Sequence, residues 1–356
     1  MDLLNAAHDF TVIGGGPAGA TTALCLARSG WSVALHLSNP PAQTPPGETL
    51  PPEINPVLRE LGLFENFLGT EPLAAPGIVS AWGHGEALES DFIGNLHGTG
   101  WHVDRTRFDA MLVAEASAAG VELIRGNSWK PGGVAVGTIV DASGANGIRL
   151  AGSNGREVDD AMVAIVLRME LQGEGRLDLR TLIETTPGGW WYSSAVPGGT
   201  AVGMFFTSPE IYRDEGIVVG EQLAVAPLTN RRMAGAKLRG SQVVRASSSL
   251  RDRIVGENWV AVGDSASTYD PLSGRGIFKA LRHARLAAAA LDQHKRGRSG
   301  ALEEYAESVR ADFAHYRAQR HLHYAMEDRW PDAPFWRARR YPMPSAVVRP
   351  GPRVSA

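Results

Sequence analysis

A single cysteine, Cys25, stands among 356 residues. An internal disulfide and a cysteine-built metal cluster are therefore excluded, and the apolar helical run around Cys25 marks it as a core filler. Lysine is almost as scarce: it occurs only at Lys130, Lys237, Lys279 and Lys295, so residues 1–129 contain none. With 35 basic against 38 acidic side chains and a net charge of −3, the chain lacks the positive field that phosphate backbones attract. Nucleic acid is not an expected partner. No apolar run approaches the roughly 20 residues of a membrane span, and MDLLNAAHDF carries acids without the basic and apolar order of a secretory leader. These absences predict no membrane partner and a cytoplasmic, reducing location. Nor is a metal expected, because His321 and His323 sit two apart on a predicted helix and so do not share a face.

What is present begins at once. An apolar content of 44% over this length allows a large core, read as two intimately joined lobes. DFTVIGGGPAGATTALCLARSGWSVALHLS reads as strand, glycine turn, helix, strand. Gly14, Gly16 and Gly19 fit G-x-G-x-x-G, with Pro17 and Ala18 inside the turn. In such a turn the first glycine permits the bend, the second admits a pyrophosphate to the backbone, and the third lets helix and strand pack closely. The helix start then offers free N–H groups to the phosphates. The alternative is a purely structural glycine turn. One part of the pattern is absent: the acid expected about 20 residues on, to bond the ribose hydroxyls, is replaced by Leu37. His36 and Ser38 beside it are the available substitutes.

A Pro-rich loop follows, then a short helix around Val57–Leu68, then VDRTRFDAMLVAEASAAGVELIRG, a capped helix running into a strand. From about Asp159 to Ser208 the pattern alternates between strands and PGG turns, which predicts an antiparallel sheet. An α/β pattern returns at NWVAVGD, and a charged helical segment closes the chain before a Pro- and Arg-rich tail. No second G-x-G-x-x-G occurs.

AVGDSASTYDPLSGRGIFKAL, taken with the glycine cradle, resembles the flavin-dependent monooxygenases, halogenases and geranylgeranyl-type reductases. That resemblance implies FAD, with Gly263 and Asp264 near its ribityl and pyrophosphate groups and Pro271, Gly274, Arg275, Gly276 and Ile277 along the flavin ring. It implies a phosphate- or ring-facing role for Arg105, and it extends to VDASG (Asp141–Gly144) and GETLPP (Gly47–Pro52). For Arg105 alone a helix-start salt bridge is the competing reading, and for Asp141 a turn former. The implied fold class is α/β: a Rossmann-type FAD-binding lobe, GR2-like and discontinuous, with an antiparallel β-sheet substrate lobe and a helical C-terminal segment. The expected division is 1–158 for the first part of the FAD lobe, with a loop insertion at about 70–100, and 159–240 for the substrate lobe. The second part of the FAD lobe follows at 241–300, the helical segment at 301–340 and the tail at 341–356.

Three marks of flavin halogenases are missing: the N-terminal lysine, the acid where Ser273 stands in PLSGRGIF, and both tryptophans of the signature replaced by YSSAVP. GETLPPEINPVLRELGL, GWWYSSAVPGG and EDRWPDAPFWRARR are instead similar to the flavoproteins that hydroxylate a partner oxidase's tryptophan during cysteine tryptophylquinone biogenesis. That likeness implies an FAD-dependent monooxygenase acting on an aromatic substrate through a flavin C4a-hydroperoxide, with a partner protein as the carrier of that substrate. Electrons would come from NAD(P)H or a separate flavin reductase. The alternatives are an FAD-dependent reductase or dehydrogenase of an apolar small molecule, a flavin halogenase, and a non-catalytic assembly factor. The catalytic candidates are Glu48, His102 and Trp191. Trp190 and Tyr192 share the other face of the same strand, where they either roof a substrate or pack. For Glu48 a solvated loop carboxylate is the competing reading. The Arg329–Arg340 stretch either docks a partner or carries ordinary surface charge.

Overall fold

The computed structural model describes residues 8–38, 48–83, 85–126, 137–148, 150, 155–171, 178–214, 216, 218–340 and 346–348. Gly47 and Lys130 lie outside them. The glycine turn sits where the sequence predicts, between the strand Phe10–Ile13 and the helix Pro17–Arg28. Pro17 occupies the first helical turn, where its missing N–H costs nothing. The strand is central to a six-stranded sheet. Its parallel neighbours are Val33–Leu37 on one side and Thr138–Asp141 on the other, and Glu122–Arg125 and Trp259–Ala261 extend the sheet in the same direction. Helices Pro17–Arg28, Arg105–Ala118 and Gly276–Lys295 cover it. Asp104 caps the second of these by accepting from the N–H groups of Thr106 and Arg107.

The second sheet has seven strands, in the order Lys237–Arg245, Val163–Glu170, Thr200–Thr207, Gly189–Val196, Thr181–Thr186, Gly77–Ala81 and Leu88–Asp91. Its last two strands come from the stretch read as a loop insertion at about 70–100. Gly77–Ala81 runs parallel to Thr181–Thr186, a long-range pairing with no local turn to announce it. Ala346–Val348, inside the stretch read as a tail, pairs antiparallel with Arg156–Asp160.

Three cores result among the described residues. The largest, mainly aliphatic, lies between the parallel sheet and its helices. A second is aromatic and lies between the seven-stranded sheet and the C-terminal helices Ala301–Ala325 and Pro334–Arg340, and a small third gathers Trp191 and Phe205 on that sheet's other face. Trp82 packs edge-to-face with Trp336 and Tyr324 at ring-centroid distances of 5.3 Å, and Trp190 stacks on Phe206 at 4.0 Å. This corrects the reading of Arg329–Arg340 as a docking or merely charged surface. Phe335 and Trp336 are buried, and Arg339 holds Asp160 at 2.9 Å from inside the fold. Helical periodicity sends these three side chains inward while Arg337 faces solvent.

Candidate functional site: a crevice between two sheets

Parallel register builds one end of the site. Ile13 pairs with Asp141 and Asp141 with Ala261, so three strands stop at the same level. The segments leaving them, Gly14–Gly16, Ala142–Gly144 and Val262–Asp264, emerge side by side at the carboxyl edge, where open α/β sheets bind ligands. Contacts are close enough to require glycine. At Gly14, with φ of +111°, a Cβ would stand 2.4 Å from the Ala142 carbonyl oxygen, and at Gly19 it would stand 1.8 Å from that of Gly14. Asp141 locks the junction: it accepts from Ser143 Oγ (2.6 Å) and the Ile148 N–H (3.1 Å), and it pairs with buried Arg251 at 2.5 Å.

Two helices begin at this edge without a side-chain cap, Pro17–Arg28 and Gly276–Lys295, and both starts line one crevice of about 450 Å³. Gly16, Pro17, Ala18 and Asp264 line it together with Pro271, Gly274, Arg275, Gly276 and Ile277. A Cβ built at Gly16, Gly274 or Gly276 meets nothing within 4 Å, so the backbone there faces open space. Open glycine backbone beside two helix N-termini fits a dinucleotide: N–H groups and the positive dipole ends meet phosphate, and backbone can approach a flat ring. Asp264 also takes Lys279 Nζ at 2.8 Å. Burial lowers the Lys279 pKa, against the pull of that carboxylate. Arg156 donates to the Asp264 and Ser265 carbonyls, which fixes the loop from behind, and burial brings its pKa down to about 10. Arg105 lines the crevice paired to Asp109 at 3.1 Å.

The crevice continues under the seven-stranded sheet, where Ala164, Tyr192, Met204, Phe206 and Val244 line it with Glu48 and Thr49. Glu48 is 1% exposed and 3.6 Å from Arg168, so it is a buried carboxyl group and not a solvated loop acid. Thr49 bonds His102 Nδ1 at 2.9 Å and the Tyr192 hydroxyl, which also contacts Ser194 Oγ at 2.9 Å. His102 Nε2 meets the Leu179 carbonyl at 2.7 Å. Burial pushes the His102 pKa down to about 4 despite that hydrogen bond.

Four expected side chains sit elsewhere. Trp191 points to the opposite face, fully buried against Phe205, and donates to the Gln222 carbonyl. Strand alternation sends it away from the crevice, which Tyr192 lines instead. His36 and Ser38 do not line the crevice. Leu37 packs over Gly15, where a Cβ would come within 2.2 Å of it. His102 stands one layer behind, reaching the crevice only through Thr49. Sequence reading missed Thr49, Asp109, Met204 and Phe206. Only the turn–strand–turn rhythm around TAVGMFFTS carried a signal, and it marks strands, not pockets.

Among the described residues no metal-holding cluster of His, Cys, Asp or Glu occurs, and no helix is long and apolar enough to cross a membrane. Comparison with known proteins agrees with the crevice. The family model for tryptophan halogenase matches residues 86–348. A Marinomonas mediterranea protein named as the FAD-dependent oxidoreductase LodB is 27% identical over 93% of this chain and 96% of its own. Two solved structures share the fold, each at 22% identity over 94% of this chain. The myxobacterial chondrochloren halogenase CndH gives a TM-score of 0.83 over 86% of its length, and the peptidyl tryptophan dihydroxylase QhpG gives 0.75 over 79%. A glycine-lined crevice fit for FAD and a family match across most of its length place this chain in the tryptophan halogenase family of FAD-dependent oxidoreductases.

Proposed function

We propose that this protein is a monooxygenase that hydroxylates an aromatic group, and that the group is a tryptophan side chain of a partner protein. The observation that carries the reading is the crevice itself: the cradle for the cofactor runs without a break into a pocket under the sheet, and among the described residues no lysine lines it. Halogenation needs a side chain that captures an electrophilic halogen, and none of the lysines falls in residues 1–129. The names of LodB and QhpG, an oxidoreductase and a tryptophan dihydroxylase, support the same direction.

In this reading the starts of the helices Pro17–Arg28 and Gly276–Lys295, with Asp264 and the Pro271–Ile277 segment, hold FAD. When bound, FAD supplies the redox chemistry that activates molecular oxygen. The protein's own work is orientation and exclusion of water. Phe206, Met204, Ala164 and Val244 give an apolar slot for a flat ring, and Tyr192, Thr49 and Glu48 place polar atoms at its edge. An indole is nucleophilic enough to need no strong base, which matches a slot without an exposed general base. With no second G-x-G-x-x-G in the chain, electrons come from NAD(P)H binding transiently or from a separate flavin reductase.

The test is product mass. FAD-loaded protein, supplied with reduced flavin, oxygen, bromide and a tryptophan-containing peptide, should yield a product that gains oxygen with or without bromide. A brominated product would overturn the proposal in favour of halogenation, the second reading that the family supports.

A further inference from the structure

We infer that Tyr316, Arg320 and Tyr324 are positioning residues for the cofactor: spaced four apart on the helix Ala301–Ala325, all three bond to Asp270, which opens the crevice-lining segment Pro271–Ile277. The inference rests on the placement of FAD in the crevice. Residues four apart lie one above another on a helix face, so three successive turns present a phenol, a guanidinium and a phenol in one row. The Asp270 N–H donates to the Tyr316 hydroxyl at 2.8 Å, and its Oδ2 accepts from Arg320 Nε at 3.1 Å and from the Tyr324 hydroxyl at 2.8 Å. That hydroxyl in turn accepts from Trp190 Nε1 at 3.1 Å, which directs its hydrogen to Asp270. Oδ1 of Asp270 accepts from the Leu272 N–H at 2.8 Å.

The last of these bonds makes Asp270 the cap of the short turn Pro271–Ser273, which ends at Gly274 with φ of +58°. The turn sets the direction in which the backbone from Gly274 to Gly276 enters the crevice. One row on the helix therefore fixes a carboxylate, the carboxylate fixes a turn, and the turn presents glycine backbone to the cofactor. Arg320 is itself anchored from the other side, by Asp159 at 3.3 Å and by Asp160, at the end of the strand Arg156–Asp160. Its planar fork suits several carboxylates at once, as a lysine's single ammonium does not. Tyr316 and Tyr324 are buried and Arg320 is only 11% exposed. An apolar row would pack this helix as firmly, since buried ion pairs rarely add net stability. What the polar row adds is a single position for Asp270.

Arg339 supplies the control that separates positioning from stability. It bonds Asp160 as Arg320 does, from an equally buried place, but its other bonds run to Ser208 and to the Phe335 and Ala161 carbonyls and not to Asp270. Equilibrium FAD binding and the bound-flavin absorption spectrum are read for each variant, with urea unfolding in parallel. Arg320→Gln should weaken FAD binding about tenfold and shift the flavin bands, and Arg320→Lys, which keeps a cation beside Asp270, should lie between it and wild type. Tyr324→Phe and Tyr316→Phe, which keep the fold's aromatic packing, should each weaken binding about threefold. Arg339→Gln should lower the unfolding midpoint and leave FAD affinity and spectrum as in wild type. Wild-type affinity and spectrum in Arg320→Gln, or an equal loss of affinity in Arg339→Gln, would overturn the inference. A wild-type chain that binds no FAD would instead overturn the placement of the cofactor, and the inference with it.

Discussion

The two ends of the crevice are made by different means. At the nucleotide end, backbone does the work: glycines at 14, 16, 19, 274 and 276 and two uncapped helix starts create a surface in which side chains mainly stay out of the way. At the sheet end, side chains from the segment around residue 48 and from a hairpin more than 140 residues later, where Tyr192 and Met204 stand opposite each other, meet at the crevice. The first end can be made only with particular residues at fixed spacing. The second can be made in many ways, and no motif marks it.

Substitutions at the nucleotide end should therefore be felt as lost folding or lost cofactor. The largest effect is expected at Asp141, whose removal strips Arg251, 4% exposed, of its buried carboxylate. Asp141→Ala should cost about 3–5 kcal/mol, read by urea unfolding. Acid is next. Burial holds the folded-state His102 pKa at about 4, below the 6.5 of the unfolded chain. Between these values the unfolded state binds a proton that the folded state refuses. The stability from this group is thus complete above about pH 6.5 and is lost as pH falls toward 4, by up to about 3 kcal/mol. Unfolding midpoints across that window should fall for wild type and flatten in His102→Asn. Gly14→Val, strained at φ of +111° and pressed on Ala142, should cost about 1–3 kcal/mol and release FAD on gel filtration. Smallest is Trp191→Phe, which loses its bond to the Gln222 carbonyl: about 1 kcal/mol of stability, with the oxygenation rate unchanged.

The same contrast explains what was legible in the sequence. Gly14, Gly16 and Gly19 announce themselves because φ and clearance leave no other choice, and the Asp264–Ile277 segment because a strand, a turn and a helix start follow in order. Strand alternation placed Tyr192 and Trp191 on opposite faces but could not say which face meets the crevice. Tertiary packing decides that, and Trp191 went into a core with Phe205. The strand at 77–81 was hidden because its parallel partner lies about 100 residues away in sequence, and 88–91 with it because it joins the sheet only through 77–81; the arginine-rich Arg329–Arg340 stretch was hidden because charge density masked a buried Phe335–Trp336 pair. His102 was legible as a residue and not as a role, since its effect passes through Thr49.

Whether the two glycine segments grip one cofactor is tested most directly by equilibrium binding of FAD to wild type, Gly16→Asp and Gly276→Asp. At both positions an added Cβ meets nothing within 4 Å and both line the crevice, so the variants should fold while placing a carboxylate there. One FAD should bind per wild-type chain, and each substitution alone should weaken binding about tenfold or more. Full affinity in either variant would contradict a single shared site.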